Sequence, residues 1–312
     1  MSMSASSLHQ SVMLQEAIVG LNIKQDGRYV DATFGRGGHS SAILNELGPE
    51  GSLLAIDKDP EAVLFAKDKF GHDQRFHMFH GSFANLKSIL NDFGWHKVDG
   101  IVFDFGVSSP QLDEAERGFS YSKDGPLDMR MNTEEGLTAA EWLASADEAH
   151  IKEVLKVYGE EKYSAKIAEA IVKTRANHQQ ALNRTGDLVK LILNTLTTYQ
   201  KKKNPATRTF QAIRIAINHE LDDIQKALDD VVDLMEKKAR LVFISFQSLE
   251  HKIIKAFIRQ HTAGNEVISN SSVMTQRKNP QLKRIGRERV SSKEIDDNRR
   301  SRSAWMRIVE KI

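Results

Sequence analysis

Tyr29-Val30-Asp31-Ala32-Thr33-Phe34-Gly35-Arg36-Gly37-Gly38-His39 reads as the end of a buried strand, a glycine turn and the first turn of a helix. Such a turn sets backbone N–H groups at the positive end of a helix, where a nucleotide-like cofactor can come close. Ser40 stands where a dinucleotide-binding G-x-G-x-x-G would have its third glycine. A lone turn of this kind is about as often a plain tight connection. Two further acidic strand ends raise its weight: Asp57 closes Ser52–Asp57, and Asp104 stands at the end of Val98–Phe105. An aspartate 20 residues beyond Gly37 suits the hydroxyls of a ribose. Asp59 fills the competing role of helix cap at least as well as Asp57 does. Phe83, after the third strand, suits stacking on an adenine and equally suits a core.

Outward from this turn the first third alternates strands and helices. Tyr29–Thr33, Ser52–Asp57, Arg75–Phe79 and Val98–Phe105 are the predicted strands, separated by Ser40–Leu47 and a helix beginning at Pro60. That rhythm predicts an α/β fold with a parallel sheet. It breaks from about Glu114 to Tyr199, where only helices are predicted: Thr138–Trp142, Glu148–Tyr158, Lys162–Thr174 and Thr185–Thr198. Sheet signals then resume, with a long helix over Thr209–Asp230, a strand over Arg240–Phe246, a helix over Ser248–Gln260 and an edge strand over Ala304–Val309. The expected organisation is a first sheet segment over 1–112, a helical insertion over 113–203 and a second sheet segment over 204–312.

The 312 residues hold 40% apolar and 28% charged side chains and no cysteine. Disulfides and thiolate chemistry are excluded. Met1 to Gln10 is polar, and no apolar run approaches the roughly 20 residues a membrane span needs, so a soluble, cytoplasmic protein is expected. The scattered histidines give no metal site. Net charge is +2, yet ten Lys/Arg face four acids between Arg277 and Arg302, which suits either a polyanion partner or a solvated tail.

Several segments are more specific than a cofactor fold requires. They are Asp31–His39, Asp104-Phe-Gly-Val-Ser-Ser-Pro-Gln-Leu112, Arg117-Gly-Phe-Ser120, Gly125-Pro-Leu-Asp-Met-Arg-Met131, Asn204-Pro-Ala-Thr-Arg-Thr-Phe-Gln211 and Ser245-Phe-Gln-Ser-Leu-Glu250. On these the chain resembles the bacterial S-adenosylmethionine-dependent methyltransferases that modify N4 of a cytidine in the decoding region of 16S ribosomal RNA. The resemblance runs from His9 to about Arg307. It implies a Rossmann-like class I methyltransferase sheet with an α-helical insertion serving RNA recognition. It implies S-adenosylmethionine held by Gly37, Gly38, His39, Asp57, Phe83, Asp104 and Gln111. The partner implied is 16S ribosomal RNA or the small ribosomal subunit, with monomer and homodimer both open.

Three positions depart from the family: Gln247 and His251 stand where histidine and aspartate are common, and Arg299 replaces a usual proline. Methyl transfer from a sulfonium needs positioning more than acid–base help. The loop from Asp104 to Pro110 lacks the Asp/Asn-Pro-Pro-aromatic sequence common in amino-methyltransferases. The expectation is therefore that Ser108 or Ser109, or nearby carbonyls, orient the amine, with Asp104 nearer the cofactor. Asp128 and Arg130 fit an ion pair and a substrate contact equally. Arg208, at the start of the long helix, is the expected contact to the RNA backbone. Trp142, Tyr158 and Tyr163 on the insertion fit core better than base stacking. The competing readings are an NAD-type oxidoreductase, a non-catalytic RNA-binding or assembly factor, and methylation of DNA or protein.

Overall fold

The computed structural model describes residues 11–176, 182–196, 204–262 and 279–312. Met1 to Gln10, Arg277, Lys278 and the predicted end of the helix at Thr198 lie outside these. In chain order the elements are α1 (Leu14–Leu21), β1 (Arg28–Asp31), α2 (Gly38–Glu46), β2 (Ser52–Asp57), α3 (Pro60–Phe70), β3 (Phe76–His80), α4 (Leu86–Asp92) and β4 (Val98–Asp104). There follow α5 (Ser109–Asp113), α6 (Ala139–Ser145), α7 (Glu148–Val157), α8 (Ser164–Ala176), α9 (Thr185–Thr195) and α10 (Ala206–Asn218). The chain closes with α11 (Glu220–Asp230), β5 (Met235–Ser245), α12 (Ser248–Thr262), β6 (Leu282–Arg289), α13 (Ser292–Asp297) and β7 (Trp305–Lys311).

The contacts divide the chain into one unit of residues 1–106 with 221–312 and a second of 107–220. The helical segment thus begins and ends beyond the 113–203 read from sequence. The loop after β4 and helix α10 make their contacts with the second unit, which moves both boundaries outward.

The first unit holds a seven-stranded sheet in the order β3-β2-β1-β4-β5-β7-β6. The first five of these strands run parallel, and β7 lies antiparallel to both β5 and β6. Leu53 to Ile56 and Ile101 to Phe103 are fully buried, as expected of strands covered on both faces. One face packs Ile89, Ile224, Leu228, Ile254 and Phe257 against Leu54 and Phe103. The other packs Ala17, Ile43 and Phe70 against Tyr29 and Leu53. The order reverses at β1 and β4, which opens a crevice beyond their carboxyl ends.

Two expectations change. The predicted edge strand at the C-terminus is interior, because β6 pairs outside it. The long helix over Thr209–Asp230 is two helices, separated where His219 takes a left-handed conformation at φ 53°. The second unit has its own apolar core, including Leu143, Ile151, Leu155, Ile167, Ile192 and Phe210. Trp142 and Tyr158 pack against that core, while Tyr163 is exposed. No helix among the described residues is long and apolar enough to cross a membrane.

Candidate active site

The glycine turn between β1 and α2 is built by left-handed backbone at Gly35 (φ 55°) and Gly37 (φ 69°). What Gly37 and Gly38 make room for is protein. A Cβ on Gly37 would lie 2.6 Å from the Phe34 ring and 2.7 Å from that of Phe70. One on Gly38 would lie 1.9 Å from Ser11 Oγ. The start of α2 is not bare either. Asp31 places its carboxylate there, accepting from Ser40 Oγ at 2.7 Å and from the Thr33 amide at 3.2 Å. The Ser40 amide donates to it as well. Burial pushes the Asp31 pKa up to about 6 against these hydrogen bonds. An anionic pyrophosphate would meet this carboxylate at the helix terminus, which weighs against the dinucleotide reading.

Asp57 is held where the sequence put it, at the end of β2. Its Oδ2 accepts from the Gly35 amide at 2.7 Å and its Oδ1 from the Asp59 amide at 2.9 Å. Each oxygen keeps acceptor capacity for one more donor, which is what two ribose hydroxyls require. Burial drives its pKa up to about 6, with Asp59 and Asp31 adding to the effect. Asp59 itself caps α3, accepting from the Glu61 amide.

Asp104 ends β4, its amide 2.7 Å from Thr33 Oγ1. Its Oδ1 is buried and, among the described residues, has no hydrogen-bond partner. Burial first, then the charges of Asp31, Glu250 and Glu294, push Asp104 well above the usual carboxylate range. His39 Nδ1 lies 3.9 Å from Asp104 Oδ2. No ion pair forms, because burial lowers the His39 pKa to about 4 and leaves the imidazole neutral at pH 7. His39 Nε2 is a second buried atom lacking a partner among the described residues. Phe83, half-buried after β3, sets its ring edge-to-face on Phe103 at 5.8 Å and tilted on Phe105 at 5.8 Å.

The first unit therefore carries a cradle rich in carboxylates and poor in cations. Its orphaned Asp104 and His39 atoms and its ribose-ready Asp57 fit a cationic nucleoside such as S-adenosylmethionine better than they fit NAD. Sequence reasoning did not assign Asp31, Ser40, Thr33 or Glu250 to this site. The first three stand within the quoted turn or one residue beyond it. Glu250 accepts from the Phe246 and Gln247 amides at 2.8 and 3.1 Å. Two of the family departures take other positions. His251 shares a 2.7 Å hydrogen bond with Ser245 and meets Trp305 edge-on. Gln247 Oε1 is buried and unpartnered among the described residues.

Ser108, Ser109 and Gln111 belong to the second unit. Ser108 caps α5, and its amide donates to Gln111 Oε1 at 2.9 Å. Gln111 is buried, so that oxygen serves the helix start. Asp128 and Arg130 form a bidentate pair, Nε to Oδ1 and Nη2 to Oδ2, both at 2.8 Å. Asn218 fixes the same loop, which sequence reasoning missed: its Oδ1 accepts from Met131 N, and its Nδ2 donates to Met129 O. Arg208 is exposed on the first turn of α10, with Nη1 donating to Glu160 O at 3.0 Å. At that helix start the Ala206 amide donates to Asn204 Oδ1 and the Thr207 amide to Asn204 O, so these two are not open to a phosphate.

A family model described as the MraW methylase family matches residues 6–312. The chain belongs to the MraW methylase family. Among relatives of this MraW methylase, the ribosomal RNA small subunit methyltransferase H of Hydrogenovibrio crunogenus is 49% identical over 311 residues, covering 99% of this chain and 98% of that protein. The protein of the same name from Shewanella loihica is 47% identical over 315 residues, covering 99% of each. A solved rRNA methylase from Streptococcus thermophilus overlays at a TM-score of 0.43 with 9% identity, covering 100% of this chain and 99% of that one.

Proposed function

We propose that this MraW methylase transfers a methyl group from S-adenosylmethionine to N4 of a cytidine in the decoding region of 16S ribosomal RNA. The observation that carries the cofactor is the strand-end cradle of Asp31, Asp57 and Asp104, three carboxylates all raised in pKa, with no lysine or arginine of the described residues lowering any of them. The rRNA substrate rests on full-length similarity to the small-subunit rRNA methyltransferases.

Bound S-adenosylmethionine supplies an electrophilic methyl on a positively charged sulfur. Asp57 accepts the ribose hydroxyls. Asp104 and Asp31 supply the negative field that a sulfonium and an ammonium group need, and Phe83 offers its ring to the adenine. Gly37, Gly38, His39 and Gln111 remain assigned to the cofactor by family resemblance. Ser108 and Ser109 accept hydrogen bonds from the cytidine amine as its nitrogen becomes tetrahedral, which fixes the lone pair for in-line attack. The target base must be unpaired or flipped for its N4 to be reached. Arg208 contacts the RNA backbone. Asp128 and Arg130, locked to each other, shape the surface the RNA meets. RNA recognition is assigned to the helical segment, and the protein acts in the cytoplasm where small subunits are assembled. Sedimentation of the purified chain distinguishes monomer from homodimer.

Mass mapping of methylated cytidines in 16S RNA from cells with and without this protein tests the reading. Loss of one N4-methyl mark from the decoding region is expected. An unchanged map would contradict it.

A further inference from the structure

A cavity of about 420 Å³ lies between α12 and the β6–β7 edge of the sheet. Five cations line it, Lys255, Arg259, Arg284, Arg287 and Arg307, over a floor of isoleucines and Val309. No acidic side chain lines it. None of the five forms a carboxylate pair among the described residues. Three residues further along β7 the charge is neutralised: Glu310 pairs with Arg240 of β5 at 2.9 Å and with Lys283 of β6 at 2.8 Å.

The arrangement at Arg307 is costly. In the β6–β7 ladder Arg287 stands directly opposite Arg307, and like charges in that position destabilise a sheet. Arg287 is held instead by stacking on Trp305, 4.2 Å from the ring centroid. Arg307 Nη1 is buried and, among the described residues, donates to nothing. A buried charged donor left unmade carries a full desolvation penalty. Burial, and then the adjacent Arg287, pull the Arg307 guanidinium below its ordinary pKa. Two guanidiniums from directly opposed ladder positions, beside an apolar floor, complement an oxyanion with several acceptor oxygens, a carboxylate or a phosphate, and an RNA substrate supplies the phosphate.

We propose that this cavity seats a backbone phosphodiester of the substrate RNA, held by Arg287 and Arg307 as an anchor at the β6–β7 edge, outside the cofactor cradle. The proposal rests on the rRNA reading above. It places part of the basic C-terminal run in a built site and gives the unpartnered guanidinium its acceptor.

The test uses the full chain carrying both Arg287→Gln and Arg307→Gln. The probe is small ribosomal subunits lacking the methyl mark, and binding is measured by filter retention across a salt series, so that no turnover is needed. Binding is expected to weaken about tenfold at ~100 mM salt. The slope of log affinity against log salt should flatten by about 0.7–0.9, the value for one phosphate no longer neutralised. Affinity for S-adenosylmethionine should not change, and the thermal midpoint should stay level or rise as the like-charge pair is removed. Lys226→Gln, a cation on α11, is the control and should leave the slope unchanged. Unaltered subunit binding and slope in the double variant would overturn the proposal. So would a lowered thermal midpoint with loss of cofactor binding, which would make the pair structural. Inorganic phosphate binding that depends on the two arginines, with subunit binding intact, would assign the cavity to a small anion and also overturn it. Absence of methyl transfer by the wild-type chain would instead defeat the rRNA reading, while the binding arm still reports on the cavity.

Discussion

Two regions of the sheet-bearing unit carry opposite unmatched charge. At the carboxyl ends of β1, β2 and β4 sit Asp31, Asp57 and Asp104, all raised in pKa and short of cations. At the β6–β7 edge sit Arg287 and Arg307, opposed across a ladder and short of anions. Charges kept this way lower the stability of the unliganded protein, and each names its absent partner by sign. A cationic cofactor completes the first region. A phosphodiester completes the second. Glu310 marks the difference between such a site and an ordinary surface, since it neutralises Arg240 and Lys283 within the fold itself.

The largest expected effect is at Asp57. Asp57→Ala removes the acceptor for two hydroxyls, at about 1.5–3 kcal/mol for each bond to a charged group. Cofactor affinity measured by calorimetry should fall by at least about 100-fold. Subunit binding should stay unaltered, and a parallel loss there would merge the two regions into one. Asp104→Asn keeps the shape and removes the charge. It should weaken S-adenosylmethionine by about tenfold while raising the thermal midpoint of the free protein at pH 8, where the buried ionised carboxylate is most costly. Full cofactor affinity and turnover in that variant would remove Asp104 from the site.

The pH dependence should separate binding from stability. Asp31 and Asp57 ionise near 4 when unfolded and at about 6 in the fold, so the folded state holds extra protons between those values. Their contribution to the stability of the free protein should fall as pH rises from about 4 to about 6. Affinity for the cationic cofactor should run the other way, declining as pH drops through about 6. Calorimetry and thermal melts at matched pH check both slopes, and trends of the same sign would count against ionised carboxylates as the binding form. Ser40→Ala should have the smallest effect on function. It deletes the 2.7 Å bond to Asp31 and should cost about 1–3 kcal/mol of stability by chemical denaturation.

The parallel half of the sheet was legible because its strands are continuous apolar runs, such as Leu53-Leu-Ala-Ile56. The outer strand was not. Leu282-Lys-Arg-Ile-Gly-Arg-Glu-Arg289 reads as a charged tail, since an edge strand buries little and is protected by charge. The break at His219 carries neither glycine nor proline, and the enrichment of histidine in left-handed backbone is too weak a signal to divide an otherwise continuous helical pattern. Within the site, Asp57 and Asp104 stood out by position at strand ends. Asp31 did not, because its role depends on Ser40 folding back from α2 to meet it. The use of Gly37 and Gly38 was likewise hidden. Only the packed structure reveals that Phe34, Phe70 and Ser11 occupy the space beside them.

The most direct measurement of the account is methyl transfer to small subunits by the Asp57→Ala chain and by the Arg287→Gln/Arg307→Gln chain, with each substrate varied in turn. The KM for S-adenosylmethionine should rise in the first variant and hold in the second. The KM for subunits should hold in the first and rise in the second. Both constants moving together in either variant, or neither moving, would contradict it.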